Sequence, residues 1–192
     1  MNEFRYIVGA TIEVKAGFAL WISKIEEYLD LYYQGEERNA LDTEFFRCIS
    51  KAREIESNLF ERDDDFRSVI DEQNLLAAAC LIQETSIIVD GERLDCLEIE
   101  SLTNSPWNTI DYPQVEKRKG AATSLIEGIV RESQASAFSG IVKLLAIPSA
   151  KRLYQRIGFI ETDGSGEMIL TANAASMFLL DQEQNRESRT FD

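Results

Sequence analysis

The chain has 192 residues, 44% of them hydrophobic and 28% charged, and a formal net charge of −14. That length fits one domain with a proper core, and the composition is that of a soluble globular protein. The acidic balance argues against nucleic-acid or anionic-membrane binding, which need a basic face, and the absence of histidine excludes Ser-His-Asp and Cys-His nucleophile pairs and most zinc sites.

Cys48, Cys80 and Cys96 are scattered, with no C-x-x-C, and read as small buried apolar residues in a reducing cytoplasm. The N-terminus carries Glu3 and no long apolar core, so no signal peptide is expected. The longest apolar run, Leu75–Ile82, is too short to span a membrane. A cytoplasmic protein is therefore expected.

Tyr6–Val14 reads as a first strand, weakened by Gly9. Phe18, Trp21, Ile22, Ile25, Tyr28, Leu29 and Tyr32 follow helical spacing and predict an amphipathic helix ending near Gly35. A second helix is predicted from about Leu41 to Phe60, with Phe45, Ile49, Ala52, Ile55 and Leu59 inward. Asp63-Asp64-Asp65 reads as a solvated turn, and with no further ligands at metal spacing no metal is expected.

From Phe66 the period changes. Phe66–Asp71, Leu75–Glu84 and Leu94–Leu102 read as successive strands, turning at Glu72-Gln73-Asn74 and Asp90-Gly91-Glu92. Ser86–Val89 reads as a further short strand or an extension of the hairpin. The loop Thr103–Gln114 holds two prolines and Trp107, and either caps a cleft or plugs the core with that tryptophan. A helix follows from Gly120 to about Ala137, stopped by Gly140, and then a buried strand, Ile141–Ile147. Pro148 suits the first turn of another short helix. Phe159–Thr162 and Glu167–Thr171 read as a closing hairpin, Ala174–Gln182 as a helix and Asn185–Asp192 as a frayed tail. A meander followed by one strand–helix–strand crossover is a mixed α/β (α+β) sheet.

The most distinctive stretch is Val115–Ile126. Three cations, Lys117, Arg118 and Lys119, run into Gly120, Ala121 and Ala122, and a helical apolar pattern begins at once. A helix start offers unpaired backbone N–H groups and the positive end of the dipole, and small residues let a ligand approach that backbone. Together they describe a pyrophosphate-sized anion site. On its own such a turn is more often a solvated loop. It is neither a Walker A loop nor a Rossmann G-x-G-x-x-G.

Two motifs separated by one helix and one strand resemble the GNAT superfamily of acyl-CoA-dependent N-acyltransferases. Lys117-Arg118-Lys119-Gly120-Ala121-Ala122 is similar to the family's [QR]-x-x-G-x-[GA] turn, with Lys117 replacing the opening Gln or Arg. Ala150-Lys151-Arg152-Leu153-Tyr154-Gln155-Arg156-Ile157-Gly158-Phe159 is close to A-x-x-[LF]-Y-x-[KR]-x-G-F. The asparagine often found three residues before that alanine is Ile147 here, which leaves no side-chain amide at that position. The resemblance covers roughly Phe66 to Thr171. It implies a single domain over 1–192: an N-terminal strand and helices over 1–65, an acyl-CoA-binding core over 66–171 and a C-terminal helix and tail over 172–192.

The resemblance implies a mostly antiparallel central sheet with flanking helices and a splay between Leu94–Leu102 and Ile141–Ile147. It implies acetyl-CoA as co-substrate, held by Lys117, Arg118, Lys119, Gly120, Ala121, Ala122 and Thr123, by the backbone of Leu102 and Thr103, and by Ala150 and Tyr154. Tyr154 matches the tyrosine that many members use as acid toward the coenzyme A sulfur; otherwise it is an interior aromatic. Glu98 lies four residues before Leu102, like the strand glutamate of polyamine-type members, and is the candidate base; strand alternation puts Glu100 on the same face. A water chain is the alternative base, and two solvent-facing carboxylates the bland one.

The function implied is an N-acetyltransferase in which a primary amine attacks acetyl-CoA directly through a tetrahedral intermediate. The acidic chain and its two strand glutamates suit a cationic acceptor. A longer acyl donor, or a catalytically silent acyl-CoA-binding module, are the alternatives. Neither nucleic acid nor membrane is expected as a partner, and a homodimer is left open.

Overall fold

The computed structural model describes residues 4–89 and 91–188. Seven strands, β1 (Phe4–Val8), β2 (Phe66–Asp71), β3 (Leu76–Val89), β4 (Glu92–Asn104), β5 (Val142–Leu145), β6 (Ile160–Glu161) and β7 (Glu167–Leu170), form one sheet in the order β1-β2-β3-β4-β5-β7-β6. The pairs β1·β2, β2·β3, β5·β7 and β6·β7 are antiparallel, and β4·β5 is parallel. A parallel pair needs a crossover, and the predicted helix supplies it as α4 (Ala121–Ala135). The β4·β5 ladder runs from Leu97↔Val142 to Ile99↔Leu144, while β4 continues to Asn104. This is the mostly antiparallel mixed sheet that the resemblance implied.

The chain divides into two compact units, one of Met1–Leu81 with Ser101–Leu125, the other of Ile82–Glu100 with Ile126–Asp192. In the first unit, helix α1 (Ile12–Tyr33) opens where the Thr11 hydroxyl accepts the Val14 amide at 3.3 Å. That cap overturns the expected strand Tyr6–Val14. Gly9 turns out of β1 at φ 81, and Thr11 then starts a helix that takes Val14 as its first buried residue. Val14, Phe18, Trp21, Ile25 and Tyr28 are spaced three or four apart and all buried. Trp21 donates its Nε1 to the Leu76 carbonyl at 2.8 Å, which satisfies the indole inside the core.

Helix α2 (Glu44–Ser57) is shorter than predicted. A 3₁₀ turn, Glu37–Ala40, precedes it, and the Thr43 hydroxyl caps it by accepting the Phe46 amide at 3.0 Å. Its inward residues Phe45, Ile49, Ala52 and Ile55 are those that the spacing predicts. Asp63–Asp65 is more than a solvated turn, because Asp63 Oδ1 accepts the Ala10 amide at 2.6 Å and fastens the end of β1. The loop after β4 contains a one-turn helix, α3 (Pro106–Thr109), and Trp107 is fully buried in the same core as α1, so of the two readings the plug holds.

The second unit holds β5, β6 and β7 with helices α5 (Lys151–Ile157) and α6 (Ala172–Glu187). Two predictions are corrected here. Pro148 does not open α5, which starts three residues later after a turn in which the Ala150 amide donates to Ile147 O at 3.0 Å. Helix α6 is longer than predicted and takes in Asn185–Glu187 from the supposed tail. Its anchor is Glu127, buried on α4. Arg186 donates to it at 2.8 and 2.9 Å, and Arg131 at 3.0 Å. Burial alone would raise the Glu127 pKa, but hydrogen bonds from Arg186 and Arg131 outweigh it and hold the carboxyl below its ordinary value. The predicted Asp90 turn and the end of the predicted tail, 189–192, lie outside the described residues. Cys48, Cys80 and Cys96 are buried and in no disulfide among the described residues, where no helix is long and apolar enough to cross a membrane.

Gly17 gives a test of the α1 packing. A Cβ there would sit 2.6 Å from Leu76 Cβ. In an exposed helix Gly→Ala gains up to about 1 kcal/mol, whereas overpacking a core costs roughly 1–3 kcal/mol. Gly17→Ala is therefore expected to lower the urea midpoint at unchanged m-value, and a raised midpoint would show that α1 does not lie against Leu76 as described.

Candidate functional site

In the first unit, Gly120 takes φ 93, a left-handed conformation costly for any side chain, and α4 begins at the next residue. The Ser124 amide closes the first turn onto Gly120 O at 2.9 Å. The preceding amides at the start of a helix have no intrahelical acceptor, so they are the donors an anion would use. Ala121 and Ala122 are buried and small, which keeps side chains out of that position.

The three cations before Gly120 are not equivalent. Lys117 reaches back to the Ile110 carbonyl at 3.2 Å. The Arg118 guanidinium donates to Val115 O at 2.8 Å and lies 3.4 Å from Asp71 Oδ2, and its side chain is only 13% exposed. The Arg118 amide donates to Asn108 Oδ1 at 2.7 Å. Lys119 is exposed and has no partner among the described residues. Two of the three cations therefore hold the loop, and one is positioned to meet a ligand. Asp71 and Asn108 fix the turn, and neither stood out in the sequence, since nothing local to β2 or to α3 points at residue 118.

Leu102 is half-buried and Thr103 buried at the end of β4. Just before them Ser101, also buried, donates to Glu54 Oε1 at 2.5 Å and accepts from Lys51 Nζ at 2.9 Å, so α2 grips this end of the strand. Burial would raise the Glu54 pKa, but hydrogen bonds from Lys51 and Ser101 bring it below its ordinary value. The sequence offered only the Lys51–Glu54 spacing of an ordinary helical ion pair as a signal.

The second unit carries the other candidates. Glu98 is half-buried and Glu100 exposed, with Leu97 and Ile99 buried on the opposite face, as alternation predicts. Glu98 Oε2 lies 3.2 Å from Lys143 Nζ and accepts from Gln83 Nε2 at 3.2 Å; Lys143 also reaches Glu167 at 3.8 Å. The pairing of Glu98 with Lys143 follows directly from the β4·β5 register, which puts the two residues side by side. Ala150 is half-buried ahead of α5, and its carbonyl accepts the amides of Leu153 and Tyr154. Tyr154 is buried on α5 and packs edge-on against Phe159 at 5.6 Å, where Gly158 at φ 110 ends the helix. No group of His, Cys, Asp or Glu among the described residues is arranged to hold a metal.

No protein-family model matches the chain. No curated protein matches it either. Solved structures do. A structure described as a bacterial toxin aligns with 68% of this chain and 80% of its own at 17% identity and TM-score 0.52. AtaT complexed with acetyl-methionyl-tRNAfMet aligns over 67% of this chain and 85% of its own, at 8% identity and TM-score 0.52. A GNAT-family acetyltransferase from Listeria monocytogenes covers 88% of this chain and 93% of its own, at 14% identity and TM-score 0.48. Likeness at these identities shows the fold alone, a mixed, mostly antiparallel sheet with flanking helices of the kind the sequence resemblance implied.

The unequal cations give the site its test. Lys119→Ala is expected to weaken pyrophosphate binding at the turn severalfold and to flatten its salt dependence, with the melting temperature kept. Arg118→Met is expected to lower the melting temperature first, because it leaves Asp71 buried without its counter-charge. If Arg118→Met melts like the wild type and loses only affinity, the guanidinium faces the ligand instead of the loop.

Proposed function

We propose that this chain is an N-acetyltransferase that moves the acetyl group of acetyl-CoA to a primary amine. The observation that carries this reading is the left-handed Gly120 followed at once by a helix of small first-turn residues, on the crossover that joins the parallel pair β4·β5 of a GNAT fold. Acyl-CoA has a pyrophosphate that needs such amides, and a pantetheine arm whose amides pair with an open strand edge. The backbone of Leu102 and Thr103, on the stretch of β4 past its ladder with β5, is the proposed edge.

The chemistry needs a neutral amine, stabilisation of the oxyanion and a proton for the departing thiolate. Tyr154 is the proposed acid. Glu98 is the proposed base, acting through a water or through the oxygen that Lys143 does not contact. A cationic acceptor fits the net charge of −14, since opposite charge raises local substrate concentration and on-rate. The same charge opposes an aminoacyl-tRNA acceptor, although one structural neighbour was solved with acetyl-methionyl-tRNAfMet.

Three measurements test this reading. Coenzyme A is expected to raise the melting temperature by mass action, and a melt unmoved at millimolar coenzyme A refutes the cofactor assignment. Thiol release from acetyl-CoA with a panel of amines, tRNA included, separates an enzyme from a silent binding module. Tyr154→Phe keeps the ring against Phe159 and removes only the hydroxyl, so kcat is expected to fall by roughly 10²–10⁴ with coenzyme A affinity unchanged. A Tyr154→Phe protein with wild-type turnover, measured where chemistry limits the rate, returns the tyrosine to the core.

A further inference from the structure

We infer that the C-terminal half of α1 and the segment 111–116 form a seat for an ammonium group, which makes the acceptor a small alkylamine carrying a second positive charge. The inference rests on the transferase reading above and goes beyond it by naming the substrate class and the residues that select it.

All the parts lie in the first unit. Tyr112 stacks on Tyr32 of α1 with ring centroids 4.1 Å apart and planes 10° from parallel, and meets Tyr33 edge-on at 6.3 Å. Gln114 Nε2 donates to the Tyr32 hydroxyl at 3.3 Å and ties the segment to the helix. Tyr112 remains 41% exposed, so solvent reaches the aromatic group. Tyr28, its ring 6.0 Å from that of Tyr32, is 1% exposed, and among the described residues its buried hydroxyl has no hydrogen-bond partner. Native proteins rarely leave such a group unpaired, and a bound ligand is one of the ordinary reasons.

The field at these rings is negative. Burial raises the Tyr28 pKa, and Glu116, Glu27 and Tyr32 push it further the same way. Burial raises that of Tyr33 too, with Asp111 and Tyr112 adding to it and a hydrogen bond with Thr43 opposing. Neither Asp111 nor Glu116 has an ion-pair partner among the described residues. The cations next to them in sequence are turned elsewhere, Lys117 to Ile110 O and Arg118 to Asp71. The helix also shows what this surface accepts: Lys24 Nζ, paired with Glu27, lies 5.7 Å from the Tyr28 ring centroid. Aromatic faces beside carboxylates are the chemistry that holds an ammonium group.

A seat of this kind favours the protonated amine, whereas the attacking nitrogen must be neutral. The held group and the reacting group are therefore different nitrogens of one molecule, and a simple monoamine gains nothing from the seat. One run of chain thus separates the two charges of the proposed substrates, acids at 111–116 for the acceptor and Lys119 for the cofactor.

The test uses the full chain without cofactor, titrated calorimetrically with spermidine and, separately, with hexylamine, a monoamine of similar reach. Spermidine is expected to bind more tightly than hexylamine, and less tightly as salt rises. Glu116→Gln and Tyr112→Leu are each expected to weaken spermidine roughly 5–30-fold and to leave hexylamine where it was. Each variant keeps the melting shift given by coenzyme A, which reports that it is folded. Should Tyr112→Leu lose that shift, Asp111→Asn takes its place. Equal binding of the two amines, or variants that bind spermidine like the wild type, overturn the seat. A wild-type protein that discriminates the amines through Glu116 but shows no coenzyme A shift upholds the seat and overturns the transferase reading instead.

Discussion

A buried carboxylate determines how the candidate cofactor turn is presented. Asp71 has a fully buried side chain whose Oδ1 accepts the amides of Gln73 and Leu75 at 2.9 Å, so it shapes the β2–β3 turn. Its other oxygen has no hydrogen bond among the described residues and faces the Arg118 guanidinium at 3.4 Å. A buried charge without its partner costs several kcal/mol, so that ion pair is a strong reason for Arg118 to fold inward. Once it does, its remaining donors reach Val115 O and Lys117 O, and its amide falls to Asn108. The approach to Gly120 is then fixed from three sides by the chain itself. The left-handed Gly120 can deliver the helix start in one orientation, with Lys119 outside.

This arrangement explains what the sequence conveyed and what it could not. The turn itself was legible, because Gly120 and the alanines are required by local backbone geometry and close approach. The roles of Lys117 and Arg118 were not, since a motif records that a position is basic but not where the charge points. Arg118 lies 47 positions from Asp71 (118 − 71), and no local pattern couples them. The same distinction runs through the fold. Phe66–Asp71 and the stripe of α1 were read correctly from periodicity alone, with tertiary packing acting in the same direction as the pattern. The first strand was overextended because alternation of apolar residues cannot see a cap, and Thr11 ended the strand by accepting an amide from Val14. Trp107 looked equally suited to a lid and to a plug; only the depth of the core beneath α3 decided it.

The proposed cofactor turn in the first unit is compatible with an acidic chain. With 34 acidic and 20 basic residues, the average field repels coenzyme A. The Debye length at physiological salt is only about 8 Å, so what matters is the local arrangement and not the total. Backbone amides at the start of α4 supply positive ends without adding ionisable groups, and Lys119 supplies beside them one charge that is unpaired among the described residues. Excess acid elsewhere then remains available to attract a cation. The acidic composition and a phosphate site are compatible for this reason.

Cys48 and Cys96 bear on the route that the proposed acyl transfer would take. Burial pushes Cys48 and Cys96 up to about 11, against weaker opposing contributions from Thr109 and Thr103 at the first and from Lys143 at the second. A thiol at that value is almost wholly protonated near neutral pH, and only the thiolate is a competent nucleophile. The usual remedy, a neighbouring imidazole, does not exist in a chain without histidine. Cys48 is further engaged as a donor to the Asn104 carbonyl at 3.3 Å. An acyl-enzyme on either sulfur would need a base and an exposed approach that these two residues lack. Direct attack of the amine on the thioester needs neither: it requires one acceptor for the amine's proton and one donor for the departing sulfur. Those are the two roles that the strand glutamate and the α5 tyrosine are proposed to fill, and neither role requires a histidine.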